Sequence, residues 1–283
     1  MMLSMLAYAC MDAITKLLVQ NYPVSQTLWV RYIVFAVFAL LVARPRGIAR
    51  MARSKRPLLQ TGRALIALVE SAIFVLAFHY LPLAETHAVG SASPLIVIAL
   101  SAPLLGERAG LHRWLAVVAG FVGVLLIIRP GFETISWPLL LPLGGAFLWG
   151  LYQLLIRLVA RHDPPETTLL WSAFTGLIAI SIVAPFYWQP PDAFAWFLLL
   201  CMGVIGSVAN YALIKALDFA EAGALQPYSY TLLIWATLLG AAVFGDLPGL
   251  WTIVGAGVIV LSGLYAWRHD LRDAARKGAR KGA

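Results

Sequence analysis

The sequence predicts an all-α integral membrane protein: ten transmembrane helices in two inverted five-helix repeats, with both termini cytoplasmic. Three observations carry that expectation. Of 283 residues, 61% are hydrophobic and 12% charged, with a mean hydropathy of +0.84, whereas ordinary soluble domains carry roughly 25% charged residues. Apolar runs long enough for spans of about 20 residues recur along the whole chain. Residue patterns of the first half also return in the second. A water-soluble globule is excluded, and too little chain remains between the runs for a large soluble domain.

The runs, separated by polar or Pro/Gly breaks, fall at 3–20, 25–43, 64–81, 83–104, 113–129, 138–159, 168–188, 195–215, 222–244 and 250–267. The first reads as a span and not as a cleaved signal, because no Lys or Arg precedes Lys16 and no small-residue cleavage pattern follows. Leu81-Pro82-Leu83 joins the third and fourth runs, where proline suits a tight helical hairpin. Cys10 and Cys201 lie inside apolar runs and read as small core residues, not as a disulfide framework.

Charge sets the orientation. With the N-terminus cytoplasmic, the inner connections hold Arg44, Arg46, Arg50, Arg53, Lys55, Arg56 and Arg63, then Arg108 with Arg113, Arg157 with Arg161, and Lys215. The tail adds Arg268, Arg272, Arg276, Lys277, Arg280 and Lys281, so that 18 of the 21 Lys and Arg residues lie inside, as the positive-inside rule requires. The net charge of +8 therefore reports topology and attraction to anionic lipid, not nucleic-acid binding.

The series Tyr8, Asp12, Lys16, Pro23 recurs at a constant offset of 141 as Trp149, Gln153, Arg157, Pro164. Ala84-Glu85 returns as Ala220-Glu221, and Gly106-Glu107 as Gly245-Asp246. Five spans per half is an odd number, so the second half must enter the membrane from the opposite side. Inverted halves place a substrate site near the midplane and let one cavity open to each side in turn.

Lys16 late in the first helix, Arg31 early in the second and Gly106-Glu107 after a Ser93-Pro94 helix resemble the EamA-like exporters of the drug/metabolite transporter superfamily. The resemblance covers essentially the whole chain, with repeats at 1–130 and 137–267 and a basic cytoplasmic tail at 268–283. Within the superfamily the chain looks most like the YddG-type bacterial amino-acid exporters. It implies a multi-pass protein of the bacterial inner membrane that exports small metabolites, aromatic or neutral amino acids first, as a monomer or homodimer. The second half departs from the family pattern: Ser172 stands at the 141 offset from Arg31, Asp246 replaces the usual Glu, and Pro227 falls seven residues before the position matching Pro94.

Ionisable residues inside spans face a cavity or a partner rather than lipid. Asp12 and Lys16, at i and i+4, are spaced to pair, either as a structural ion pair or as substrate contacts. Arg31 joins them or snorkels to the interface. Glu70 can bind protons, attract a substrate amino group or make a buried hydrogen bond. His79 is a candidate substrate contact or a packing residue. A mid-membrane set of Tyr8, Ser91, Trp149, Tyr152, Gln153, Asn210, Tyr211, Tyr228, Tyr230 and Trp235 suits an apolar, aromatic pocket with a few placed polar groups. Pro94 and Pro227 are expected to interrupt the fourth and ninth helices and to serve as gates. Trp137, Tyr187, Trp188, Trp196, Trp251 and Trp267, at span ends, form an interfacial belt.

The leading expectation is a secondary transporter working by alternating access. Alternatives are an exporter of lipophilic cations or of another metabolite such as a nucleoside or vitamin, and more distantly an intramembrane enzyme. No GxSxG, HExxH or GxxxxGK[ST] stretch is present. His79, Glu85 and His87 lack metal-ligand spacing, so no catalytic residue, metal or cofactor is assigned.

Overall fold

The computed structural model describes residues 1–105, 111–128, 137–220 and 222–281, with backbone alone at 102–105, 222–223 and 270–281. Regular structure among the described residues is entirely helical. The helices are α1 (Met2–Leu18), α2 (Val24–Ala43), α3 (Ile48–Met51), α4 (Pro57–Tyr80), α5 (Leu83–Gly90), α6 (Ser93–Leu105) and α7 (Leu111–Ile128). The second half holds α8 (Leu140–Ala160), α9 (Pro165–Ser181), α10 (Ala193–Phe219), α11 (Ala222–Ser229), α12 (Thr231–Leu239) and α13 (Leu250–Lys281). Eight segments among the described residues are long and apolar enough to cross a membrane, against ten expected. The other two expected spans form α1 and α9, of 17 residues each.

Local sequence explains most boundaries. Pro57 and Pro165 occupy first-turn positions, where a missing N–H costs nothing. Asp192 caps α10 by accepting from Ala195 N at 2.7 Å. A π-helical turn at Gly240–Phe244 extends α12 and stops at Gly245, whose φ of 69° is the left-handed conformation glycine adopts without strain.

Three expectations are corrected. The third span starts at Pro57, not near residue 64, so Arg63 lies inside α4 instead of in a connection; Gln60 and Arg63 are both fully buried and partnered across the bundle. The fourth span breaks at Ser91-Ala92, ahead of Pro94, which sits in the first turn of α6. Pro227 lies inside α11, and the ninth span breaks three residues later at Tyr230. α13 runs on through the basic residues to Lys281. Gly106, Glu107, Arg108, Arg129 and Glu221 lie outside the described residues.

The most extensive helix pairings are α7–α13, α1–α10, α4–α8, α2–α9, α2–α10, α4–α9, α1–α12 and α6–α8, and every one joins residues 1–128 to residues 137–281. Exchanging α1 with α8, α2 with α9, α4 with α10, α6 with α12 and α7 with α13 maps this set of pairings onto itself. At the α7–α13 contact the backbones nearly touch. A methyl at Gly123 would meet Gly255 O at 2.7 Å, and one at Gly255 would meet Gly123 O at 2.6 Å, the close approach that small residues permit between membrane helices.

Candidate functional site

The interlocked helices leave a central cavity walled by α1, α2, α4, α5, α6, α8, α9 and α10, with Ser229, Leu232 and Leu233 beside the α11–α12 break. Room for the centres of water molecules is ≈ 120 Å³, enough for on the order of ten waters.

One wall is aromatic. Tyr8 meets Trp149 edge-on at 5.5 Å between ring centroids, and Trp149 tilts against Tyr152 at 5.7 Å. Asn210 Nδ2 donates to Tyr8 Oη at 3.3 Å and to Tyr152 Oη at 3.2 Å, while its buried Oδ1 has no partner among the described residues. The same cavity carries charge. Asp12 from α1, Arg31 from α2, Glu70 from α4 and His87 from α5 all line the cavity. His87 Nε2 lies 3.2 Å from Asp12 Oδ2, and its ring stacks on Phe74 at 6.0 Å. Ser71 donates to Glu70 at 3.3 Å.

Ties between the two halves stand at both ends of the bundle. At the end bearing Met2, the Asp163 carboxylate accepts from Ser54 Oγ, from Lys55 N at 2.9 Å and from Gln60 Nε2 at 3.1 Å. Burial alone raises a carboxyl pKa, but here these hydrogen bonds prevail and hold Asp163 below its ordinary value. Glu166 meets Arg46, Lys215 at 3.1 Å and Tyr211 Oη at 3.1 Å. Arg63 Nη2 donates to Gln60 Oε1, Thr168 O and Ser172 Oγ at 2.9–3.0 Å. At the far end, Lys16 Nζ donates to Asp246 Oδ2 at 2.9 Å and to Leu81 O, the end of α4, at 3.2 Å. Arg157 makes the matching contact in the other half, donating to Leu217 O and Asp218 O at the end of α10, both at 3.0 Å.

Of the candidates, Tyr8, Asp12, Arg31, Glu70, Ser91, Pro94, Trp149, Tyr152 and Asn210 come together around the cavity. The others stand elsewhere. His79 is exposed, with Nδ1 3.0 Å from Val19 O. Gln153 is buried and accepts from Gln226 at 3.4 Å; Tyr211 is tied to Glu166. Tyr228 is exposed, Tyr230 packs on Gly263, and Trp235 and Pro227 lie away from the lining. The Asp12–Lys16 pairing does not form, because Asp12 meets His87 on α5 and Lys16 meets Asp246 in the turn after α12. Sequence reasoning passed over Tyr32, Phe74 and Phe78, and weighed His87 only as a metal ligand. His87 precedes Ser91 by four residues and Pro94 by seven, so all three share one helical face, which is the signal that could have placed it.

The EamA-like transporter family matches the chain twice, at residues 1–129 and 136–266. A riboflavin transporter of Vibrio cholerae is 29% identical over 282 residues, 96% of this chain and 93% of that protein. An S-adenosylmethionine uptake transporter of Rickettsia conorii is 23% identical over 276 residues, 98% and 94% of the two chains. A pseudopaline exporter of Pseudomonas aeruginosa is 25% identical over 267 residues, 92% of each. One crystal structure superposes with a TM-score of 0.64 at 20% identity, covering 93% of this chain and 96% of that one, a likeness of fold. None of the three named relatives is described as an amino-acid exporter, the substrate class placed first above. A twofold match spanning nearly all of a multi-pass, helical chain leaves one assignment: the protein belongs to the EamA-like transporter family and is a membrane transporter of small metabolites.

Proposed function

We propose that this protein carries riboflavin, or a metabolite with a similar flat ring system, across the bacterial inner membrane by alternating access through the central cavity. The observation that carries the reading is the aromatic wall of Tyr8, Trp149 and Tyr152 held by Asn210. Flat rings stack on such a wall, and the unpartnered Asn210 Oδ1 offers an acceptor to a ring N–H. Similarity to the Vibrio cholerae riboflavin transporter along 96% of the chain supports the same substrate class.

Alternating access rests on two inverted five-helix repeats with both termini cytoplasmic. The twofold family match, the exchange of helix pairings between halves and the paired Lys16–Leu81 and Arg157–Leu217 contacts support that arrangement. A second reading keeps aromatic or neutral amino acids as substrate. It is favoured by Asp12, Glu70 and Arg31 in one cavity, charges of both signs that suit a zwitterion.

The test is transport into liposomes containing the purified protein, with labelled riboflavin, S-adenosylmethionine, tryptophan and leucine as substrates. Saturable riboflavin flux, competed by unlabelled riboflavin, is the expected result. Tryptophan or leucine flux without riboflavin flux would overturn the first reading in favour of the second.

A further inference from the structure

We propose that Asp12 and His87 form a proton-binding pair through which the protein exchanges one proton for its substrate. The inference rests on the transport reading above and adds to it an energy source.

The pair differs from the structural carboxylates of the same molecule. Asp163 takes three donors, and Glu166 takes two cations and a tyrosine. Asp12, in contrast, has no ionic or hydrogen-bonding partner among the described residues apart from His87. Lys16, one turn further along α1, is held by Asp246. His87 Nε2 approaches Asp12 Oδ2 at 3.2 Å without the alignment of a full hydrogen bond. Buried charge held this loosely is not a stability device. Both residues are nearly buried, at 8% and 5% exposure, yet both border a cavity with room for water.

Other ionisable groups share the cavity with this pair. Glu70 from α4 and Arg31 from α2 face it. Tyr8, Tyr32 and Tyr152 complete its ionisable lining. Neither α6 nor α12 carries an ionisable side chain. On α10, Tyr211 and Lys215 are engaged with Glu166, and on α8 Arg157 holds the carbonyls ending α10. The ionisable residues of α7 and of the described part of α13 stand toward the end bearing Met2, beginning with His112, and on α4 His79 and Tyr80 stand at the far end.

Position links proton occupancy to movement. His87 lies one turn before the break at Ser91-Ala92, and Asp12 one turn before the Lys16–Asp246 tie. With one proton the pair is an imidazolium facing a carboxylate, and it draws α5 onto α1. A substrate N–H or O–H that donates to Asp12 displaces the imidazolium. The imidazolium N–H bond then breaks and its proton leaves through whichever mouth is open. After the cavity turns and the substrate departs, a proton from the other side reforms that bond. One half-cycle carries substrate across, and the return of the reprotonated pair carries a proton the other way. The exchange needs both members of the pair, so removing either abolishes it.

The experiment uses full-length protein in liposomes with an entrapped pH-sensitive dye, and tracks labelled riboflavin and protons together. About one proton moving opposite to each riboflavin is expected, falling at least tenfold per riboflavin in Asp12→Asn and in His87→Gln. Riboflavin flux in the wild type without proton movement, or with protons moving in the same direction, would overturn the exchange while leaving the transport reading intact. Tryptophan replaces riboflavin as the driving gradient if it is the molecule carried. Independently of any substrate, the ring signals of the five labelled histidines are titrated by NMR in detergent, with His87→Gln identifying the relevant one. A shifted His87 midpoint in Asp12→Asn supports the pair; an unchanged midpoint overturns it.

Discussion

Lys16 and Asp246, 230 residues apart, meet at 2.9 Å and fasten α1 to the turn that follows α12. The lysine also caps α4 through Leu81 O, so one ammonium ties three helices at the far end of the bundle. Asp246→Asn leaves Lys16 largely buried without its counter-ion and is expected to cost about 1–3 kcal/mol, read as a lower Tm in detergent. The exchanged pair Lys16→Asp, Asp246→Lys is expected to recover part of that loss, as coupled sites do in a double-mutant cycle.

Trp149 presents its ring between Tyr8 and Tyr152. Trp149→Ala is expected to raise KM for a ring-bearing substrate about 2- to 10-fold, the range of aromatic pair energies. Because Trp149 is only partly buried, protein yield and Tm are expected to change little. Asn210→Leu removes the donor shared by the two tyrosines and is expected to change both KM and stability, the latter by about 1–2 kcal/mol.

Close contact between α7 and α13 predicts a steric result. Gly123→Val meets the Gly255 carbonyl and Ile259 and is expected to destabilise by about 1–3 kcal/mol, measured by thermal unfolding. Gly144→Ala, a helical position with nothing within 4 Å of the new methyl, is the control. It is expected to raise stability by about 0.5–1 kcal/mol through helix propensity.

Asp163 predicts a pH dependence. Its three hydrogen bonds hold its pKa below the free value of 3.8, so the ionised carboxylate stabilises the fold at all pH values above that free value. The contribution is lost as pH falls below 3.8 toward the folded pKa. Thermal unfolding between pH 7 and pH 3 is expected to show a smaller acid-side loss in Asp163→Asn than in the wild type, and a lower Tm for the variant at pH 7.

The helices were largely legible in the sequence because hydropathy reports burial in lipid directly: α2 and α7 lie within two residues of their apolar runs. The start of α4 was not, because Gln60 and Arg63 lower local hydropathy while their partners Thr168 and Ser172 lie more than 100 residues away. Nine candidate residues reached the cavity because polar or aromatic residues at mid-span depth seldom face lipid. Pairings stayed hidden for a different reason. Spacing along α1 makes Asp12 and Lys16 neighbours, but Lys16 is drawn to Asp246 and Asp12 to His87, choices set by tertiary geometry.

Because every principal helix contact joins the two halves, the protein cannot mature one half at a time. A ribosome adding about 5–20 residues per second needs roughly seven to thirty seconds to supply residues 137–281 after the first half has emerged. Throughout that interval α1, α2 and α4 lack their partners from the second half, so biogenesis of this transporter is expected to depend on a host factor that shelters polar helices until that half is delivered.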